Sequence, residues 1–419
     1  MLKRLSRIGP SVTSTPENLA AAGVAVWLDD LSRPRIGSGA LTRMVDGGEI
    51  VGITTNPTIF SKSISAGSGY EDQLRELALR GTAIGETLRL LTAWDVRAAC
   101  DVLRPVYEKT GGRDGRVSIE VDPRISADAE RTAAEARGLW WLVDRPNLLI
   151  KIPAAQAALP AITASIADRI SVNVTLIFSI DRYRAVLDAF MAGLEQRAAR
   201  GEDLAGIESV ASFFISRVDV EVDKRLAALP DTVAADAKTR LHGQAALANA
   251  RLAYEVYEQA AASDRWQGLA AKGASLQRLL WASTGVKDEA FPPTRYVTEL
   301  VARDTVNTMP EATLQALADF GADTPDTISA GYAKAHATVD DLATLGVDLA
   351  DVAETLERDG IASFVQSWDD LIASVEEQLG NAGAAVMPAG AVKPASGEGA
   401  SSTAPAAAAP EPTDKTSQA

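Results

Sequence analysis

Short apolar runs alternate along most of the chain with longer stretches in which apolar residues recur every three or four positions. The short runs read as strands: VAVWL (24–28), IVGITT (50–55), VSIEV (117–121), LLIKI (148–152), ISVNVTL (170–176), SVASFF (209–214), QRLLWA (277–282) and DTVNTM (304–309). Stretches such as YEDQLRELALRG, AERTAAEARGLWWLVD and DRYRAVLDAFMAGLEQRAARG carry apolar stripes with charged outer faces and read as helices. Eight strands separated by helices predict parallel pairing, and eight is the number that closes a (β/α)8 barrel. The expected class is therefore α/β. A doubly wound open sheet is the competing architecture, and it would bring a nucleotide-binding fingerprint. The nearest match, GSGALT, lacks the third glycine and follows no predicted strand, and no GxxxxGK[ST] occurs.

The strands are not uniformly apolar. Polar residues gather at or near their C-terminal ends: Asp29 after VAVWL; Thr54, Thr55 and Asn56 after IVGI; Glu120 in VSIEV; Lys151 in LLIKI; Asn173 and Thr175 in SVNVT; Ser212 in SVAS; Ser283 and Thr284 after LLWA. In a parallel barrel these ends converge on one face, where such folds place their active sites. Period-2 spacing puts Asn173 and Thr175 on one face of their strand, pointing into the barrel. Asn173-Val174-Thr175 is also formally a glycosylation sequon, a reading that needs a secreted chain and an exposed loop, and neither is indicated.

Composition narrows the chemistry. The 419 residues are 47% hydrophobic and 23% charged, with a formal net charge of −15. This argues against a nucleic-acid partner, which needs a clustered basic face, and leaves any anionic substrate to a few placed cations. No run approaches the roughly 18 apolar residues of a membrane span. The basic opening MLKRLSRIGP lacks the apolar stretch of a signal peptide, so a cytoplasmic location is expected. The single cysteine, Cys100, reads as a small core residue. The two histidines, His242 and His336, have no partners at metal spacing, and no metal site is expected.

Residues 1–380 are expected to form one catalytic domain. The segment 381–419, dominated by Ala and Pro with Gly, Ser and Thr, reads as a disordered tail. The connections after the second and sixth strands are long enough for extra helices, lids or subunit contacts. A homo-oligomer is allowed by the sequence and not fixed by it.

Lys151 carries the sharpest chemical hint. Burying an ammonium in an apolar strand is costly, which favours a usable free amine. Such an amine adds to a ketone and gives a protonated Schiff base that accepts electrons when a neighbouring carbon–carbon bond breaks. Asp29 and Glu120 are suitable proton carriers at the same mouth. Taken alone, Lys151 reads equally as a strand-end lysine reaching for water.

The motifs WLDDLSR, GITTNPTIF, SIEVDPRIS, LLIKIPA, SVNVTLIFS, SFFISRVD and LLWASTGVKD occur in that order. Together they resemble the successive strand motifs of transaldolases, in the longer form found in actinobacteria. The resemblance implies a barrel of the class I aldolase type and a cofactor-independent transfer of a dihydroxyacetone unit between sugar phosphates, in the non-oxidative pentose phosphate pathway. It implies Lys151 as the Schiff-base lysine, Asp29 as the proton carrier for carbon–carbon cleavage, and Glu120 with Thr175 as the pair that positions a catalytic water. Asn56 and Asn173 match amides that bind the dihydroxyacetone hydroxyls, and Ser212 and Arg217 match substrate and phosphate contacts. Where many members carry an arginine after the seventh strand, this chain has Gly285. Lys287 is the nearest cation there, and is either a second phosphate ligand or an ordinary surface lysine. Two other functions remain open: a lyase of the fructose-6-phosphate aldolase type that releases free dihydroxyacetone, and a non-catalytic binding barrel.

Overall fold

A computed structural model describes residues 15–318 and 325–386. Eight parallel strands close into a barrel in sequence order: β1 (Val24–Leu28), β2 (Gly52–Ile53), β3 (Arg116–Glu120), β4 (Leu148–Pro153), β5 (Val172–Ile177), β6 (Ser209–Phe214), β7 (Arg278–Ala282) and β8 (Thr305–Met309). β8 returns to pair with β1, from Val24 opposite Thr305 to Leu28 opposite Met309. Every strand residue is buried, Ala25 at 8% and Phe214 and Ala282 at 6% being the most exposed of the apolar ones. The strands are enclosed by the barrel interior on one side and the helical ring on the other.

Both long connections are helical. Pro57–Ser65, Glu71–Leu79 and Ile84–Lys109 fill the first; Ser216–Ala228, Asp231–Leu241, Ala245–Ala262 and Asp264–Ala270 fill the second. The sequence had left these segments open among helices, lids and subunit contacts. The last described helix, Leu349–Val386, runs past the boundary expected at residue 380, so that boundary falls within a helix. The rest of the expected tail, 387–419, lies outside the described residues. Among the described residues no helix is long and apolar enough to cross a membrane.

The C-terminal helix lies against segments that follow several different strands. Ser367 Oγ is 2.8 Å from Thr58 Oγ1 and Ser65 Oγ donates to Ser374 Oγ at 2.9 Å, both after β2. Asp369 meets Arg124 after β3 at 3.4 Å, Glu357 meets Arg182 after β5 at 3.2 Å, and Asp351 pairs with Arg225 after β6. Since those segments all begin at the C-terminal ends of the strands, the helix is laid across that end of the barrel.

Candidate active site

Register alone brings three of the expected residues together. Glu120 on β3 is paired with Lys151 on β4, and Lys151 with Asn173 on β5, so the three stand side by side on neighbouring parallel strands. All three are buried, Lys151 to 4% exposure. The ammonium is compensated rather than stranded: Nζ lies 3.1 Å from Glu120 Oε2 and donates to the Thr55 carbonyl at 3.0 Å. A buried charge survives only with such partners.

A small cavity of about 80 Å3 opens above Lys151, with Asp29, Thr54, Asn56, Thr175, Ser212, Arg217 and Phe364 among its walls. Asp29, one residue past β1, accepts a hydrogen bond from Thr54 Oγ1 at 2.8 Å, and Thr54 Oγ1 is 2.7 Å from Thr308 Oγ1. Burial pushes the Asp29 carboxyl above the ordinary aspartate value, with Lys151 and the Thr54 bond opposing it. Glu120 is pushed up to about 6, chiefly by burial, with Lys151 pulling down and Asp29 adding to the rise. Two carboxyls of raised affinity for protons thus flank one amine, an arrangement suited to proton traffic near neutral pH.

Thr175 reaches the cavity through an irregularity. The pairing of β5 with β6 shifts register between Val174 and Ile177, and Leu176 has φ 61°. Leucine rarely adopts that left-handed conformation, which costs on the order of 1–3 kcal/mol and is typical of bulges that re-aim a side chain beside a site. Among the described residues the Thr175 hydroxyl and Glu120 Oε1 have no hydrogen-bonding partner, while Glu120 Oε2 faces Lys151. Buried polar atoms in this state call for a small polar guest, and a water molecule has the right size and hydrogen-bonding capacity.

The remaining polar groups are directional. Asn56 caps the helix Pro57–Ser65, its Oδ1 accepting from Ile59 N at 3.0 Å, while its amide nitrogen takes no part in the cap. Asn173 donates to Ser118 Oγ at 3.0 Å and accepts from Ser212 Oγ at 2.7 Å. It is not on the cavity wall. Its contacts hold Ser212, whose hydroxyl proton is committed and whose lone pairs are left to accept from a guest. Arg217 stands in the first turn of the helix Ser216–Ala228, on the cavity wall, its guanidinium 5.1 Å from the Phe214 ring. Among the described residues no carboxylate lies within ion-pairing distance of it. An arginine so placed, at a helix N-terminus, has the chemistry suited to an anion.

The family model described as transaldolase/fructose-6-phosphate aldolase matches residues 26–375. The chain belongs to that family. It is 59% identical to a transaldolase of Thermobifida fusca over 87% of this chain and 98% of the relative. It is 56% identical to a transaldolase 1 of Streptomyces avermitilis over 89% and 99%, and 54% identical to a transaldolase of Saccharopolyspora erythraea over 89% and 100%.

Seen within the transaldolase family, the chain brings together eight of the nine residues that the sequence singled out, six of them on the cavity wall and Glu120 and Asn173 against it. Lys287 is the exception. The chain turns at Ser283, φ 56°, and carries Lys287 outward to a neighbouring surface pocket shared with Asp219, Asp223, His242, Asp288 and Glu289. These carboxylates make that pocket a poor setting for a phosphate. Cys100 is buried, as expected of a core residue. Six wall residues had no role assigned from sequence: Thr54, Phe214, Ala282, Ser283, Thr308 and Phe364. Thr54 was visible as a polar strand end, and Thr308 sits on the inward period of β8, a signal that would have found it. Phe364 belongs to an ordinary apolar stripe and carried no signal.

Proposed function

We propose that this protein is a transaldolase that moves a dihydroxyacetone unit from a ketose phosphate, such as sedoheptulose 7-phosphate or fructose 6-phosphate, to glyceraldehyde 3-phosphate or erythrose 4-phosphate. The observation that carries the reading is Lys151: a buried amine on a barrel strand, between two carboxyls, at the foot of a cavity with an unpaired arginine on its wall. The Lys151 amine attacks the ketone carbon and, with loss of water, forms the iminium. Asp29 takes the C4 hydroxyl proton as the C3–C4 bond breaks, the bond electrons pass into the enamine, and an aldose phosphate leaves. The enamine carbon then attacks the acceptor aldehyde, whose oxygen takes the proton back. Glu120 and Thr175 hold the water that hydrolyses the product imine. Ser212 and Asn56 bind substrate hydroxyls, Asn173 orients Ser212, and Arg217 binds the phosphate. The reaction belongs to the pentose phosphate pathway, and we place it in the cytoplasm. Neither a lyase releasing free dihydroxyacetone nor a silent barrel is favoured, because curated relatives at 54–59% identity bear the transferase's name.

The test is to incubate the protein with fructose 6-phosphate, reduce with borohydride and map the added mass. A dihydroxyacetone-sized adduct on Lys151, absent in Lys151→Ala together with all turnover, is the expected result. An adduct elsewhere, or turnover without Lys151, would overturn the assignment.

A further inference from the structure

Phe364 is the wall residue that no barrel strand or strand-following turn supplies. It comes from the C-terminal helix, is 4% exposed, and its ring centroid lies 5.6 Å from Lys151 Nζ. One turn earlier, Gly360 lets that helix settle onto the mouth: a Cβ there would come within 3.1 Å of Leu176 Cδ2 and 3.7 Å of Arg217 Nη1. Polar ties to segments after four different strands hold the helix in place, so the ring is fixed over the amine by a strapped element rather than by a loose loop.

An apolar ring in this position has a chemical consequence. Once the donor bond has broken, the enamine on Lys151 has two fates. Its carbon either attacks an aldehyde, or takes a proton, after which water adds at C2 and frees dihydroxyacetone and the lysine amine. Both routes balance, since the water lost in forming the imine is regained at the end. They differ in the access of bulk water to the lysine-bound carbon, and excluding water is a task for apolar cover.

We propose that Phe364 is a positioning residue that shields the lysine-bound enamine and so decides between transfer and release. The proposal rests on the imine chemistry assigned to Lys151. The test supplies fructose 6-phosphate with and without erythrose 4-phosphate and measures the ratio of free dihydroxyacetone to transferred product. Phe364→Ala should raise that ratio about tenfold, equivalent to about 1.4 kcal/mol between the two barriers, and Phe364→Leu, which keeps apolar cover, should stay near the parent. Should the alanine variant fail to fold, Phe364→Val should fall between parent and alanine expectation. A substitution that only loosened packing would lower both products together and leave the ratio unmoved, and that outcome overturns the proposal. Borohydride trapping separates the two levels: no adduct on Lys151 in the parent protein defeats the imine reading itself, whereas equal adducts with an unchanged ratio defeat only the role of Phe364.

Discussion

Glu120 holds its proton up to about 6 because burial penalises its charged form more than Lys151 rewards it. In the role proposed for it, activating water, it must be ionised, so kcat/KM should be flat above about pH 6 and fall toward tenfold per unit below it. A pH–rate profile of the parent and of Glu120→Gln checks this. The variant should lose most of its activity, and its residual rate should lack the acid limb; a limb that survives unchanged belongs to another group. The same shift acts oppositely on stability. Folded Glu120 keeps its proton to higher pH than the unfolded chain does, so its contribution is fully present below about 4.5 and is lost as pH rises through about 6. At this scale the sequence was informative wherever a polar residue interrupts an apolar strand end, as Asp29, Glu120, Lys151 and Thr175 do. It was silent on the direction of hydrogen bonds, such as the one Asn173 accepts from Ser212, and on the path of the loop that carries Lys287 away.

Among elements, the eight strands were legible because each is a compact apolar run bounded by turns or helical patterns. β1 and β6 fall on the expected residues, whereas IVGITT narrows to Gly52–Ile53. Beyond it Thr54 N still donates to the Leu28 carbonyl, while the Thr54 hydroxyl donates to Asp29 and the Thr55 hydroxyl to the Ser118 carbonyl. The bulge at Thr175–Leu176 was not legible, since neither residue favours an irregular backbone and only the neighbouring strand's register reveals it. Helix packing was equally invisible. The helices Leu159–Ala167 and Ile180–Ala199 approach so closely that a Cβ on Gly193 would lie 2.7 Å from the Thr163 carbonyl oxygen. Gly193→Ala should therefore destabilise the fold by about 1–3 kcal/mol through overpacking, with KM for fructose 6-phosphate unchanged because this contact lies outside the barrel mouth. Urea or thermal denaturation measures the first, and steady-state kinetics the second.

For the whole molecule, the part of the chain that both the family match and the fold account for closes with the C-terminal helix. The family match stops at residue 375, and among the described residues none beyond Phe364 lines the cavity. A chain ended after Val386 should match the full-length protein in turnover and melting temperature, while one ended before Gly360 should lose both transfer and part of its stability. Comparing the two truncations by kinetics and calorimetry tests where the unit closes; a loss in the first would give residues 387–419 a part in catalysis. The pairing of β1 with β8 bears also on synthesis. Domains fold as the ribosome delivers them, at about 5–20 residues per second. Val24–Leu28 must wait with one edge bare until Thr305–Met309 has emerged, and Lys151 waits longer for the ring of Phe364. A ribosome stalled between those points would hold out a nearly closed barrel with Lys151 already in place and Phe364 still missing, so the order of the elements leaves the cover of that amine to the last described helix.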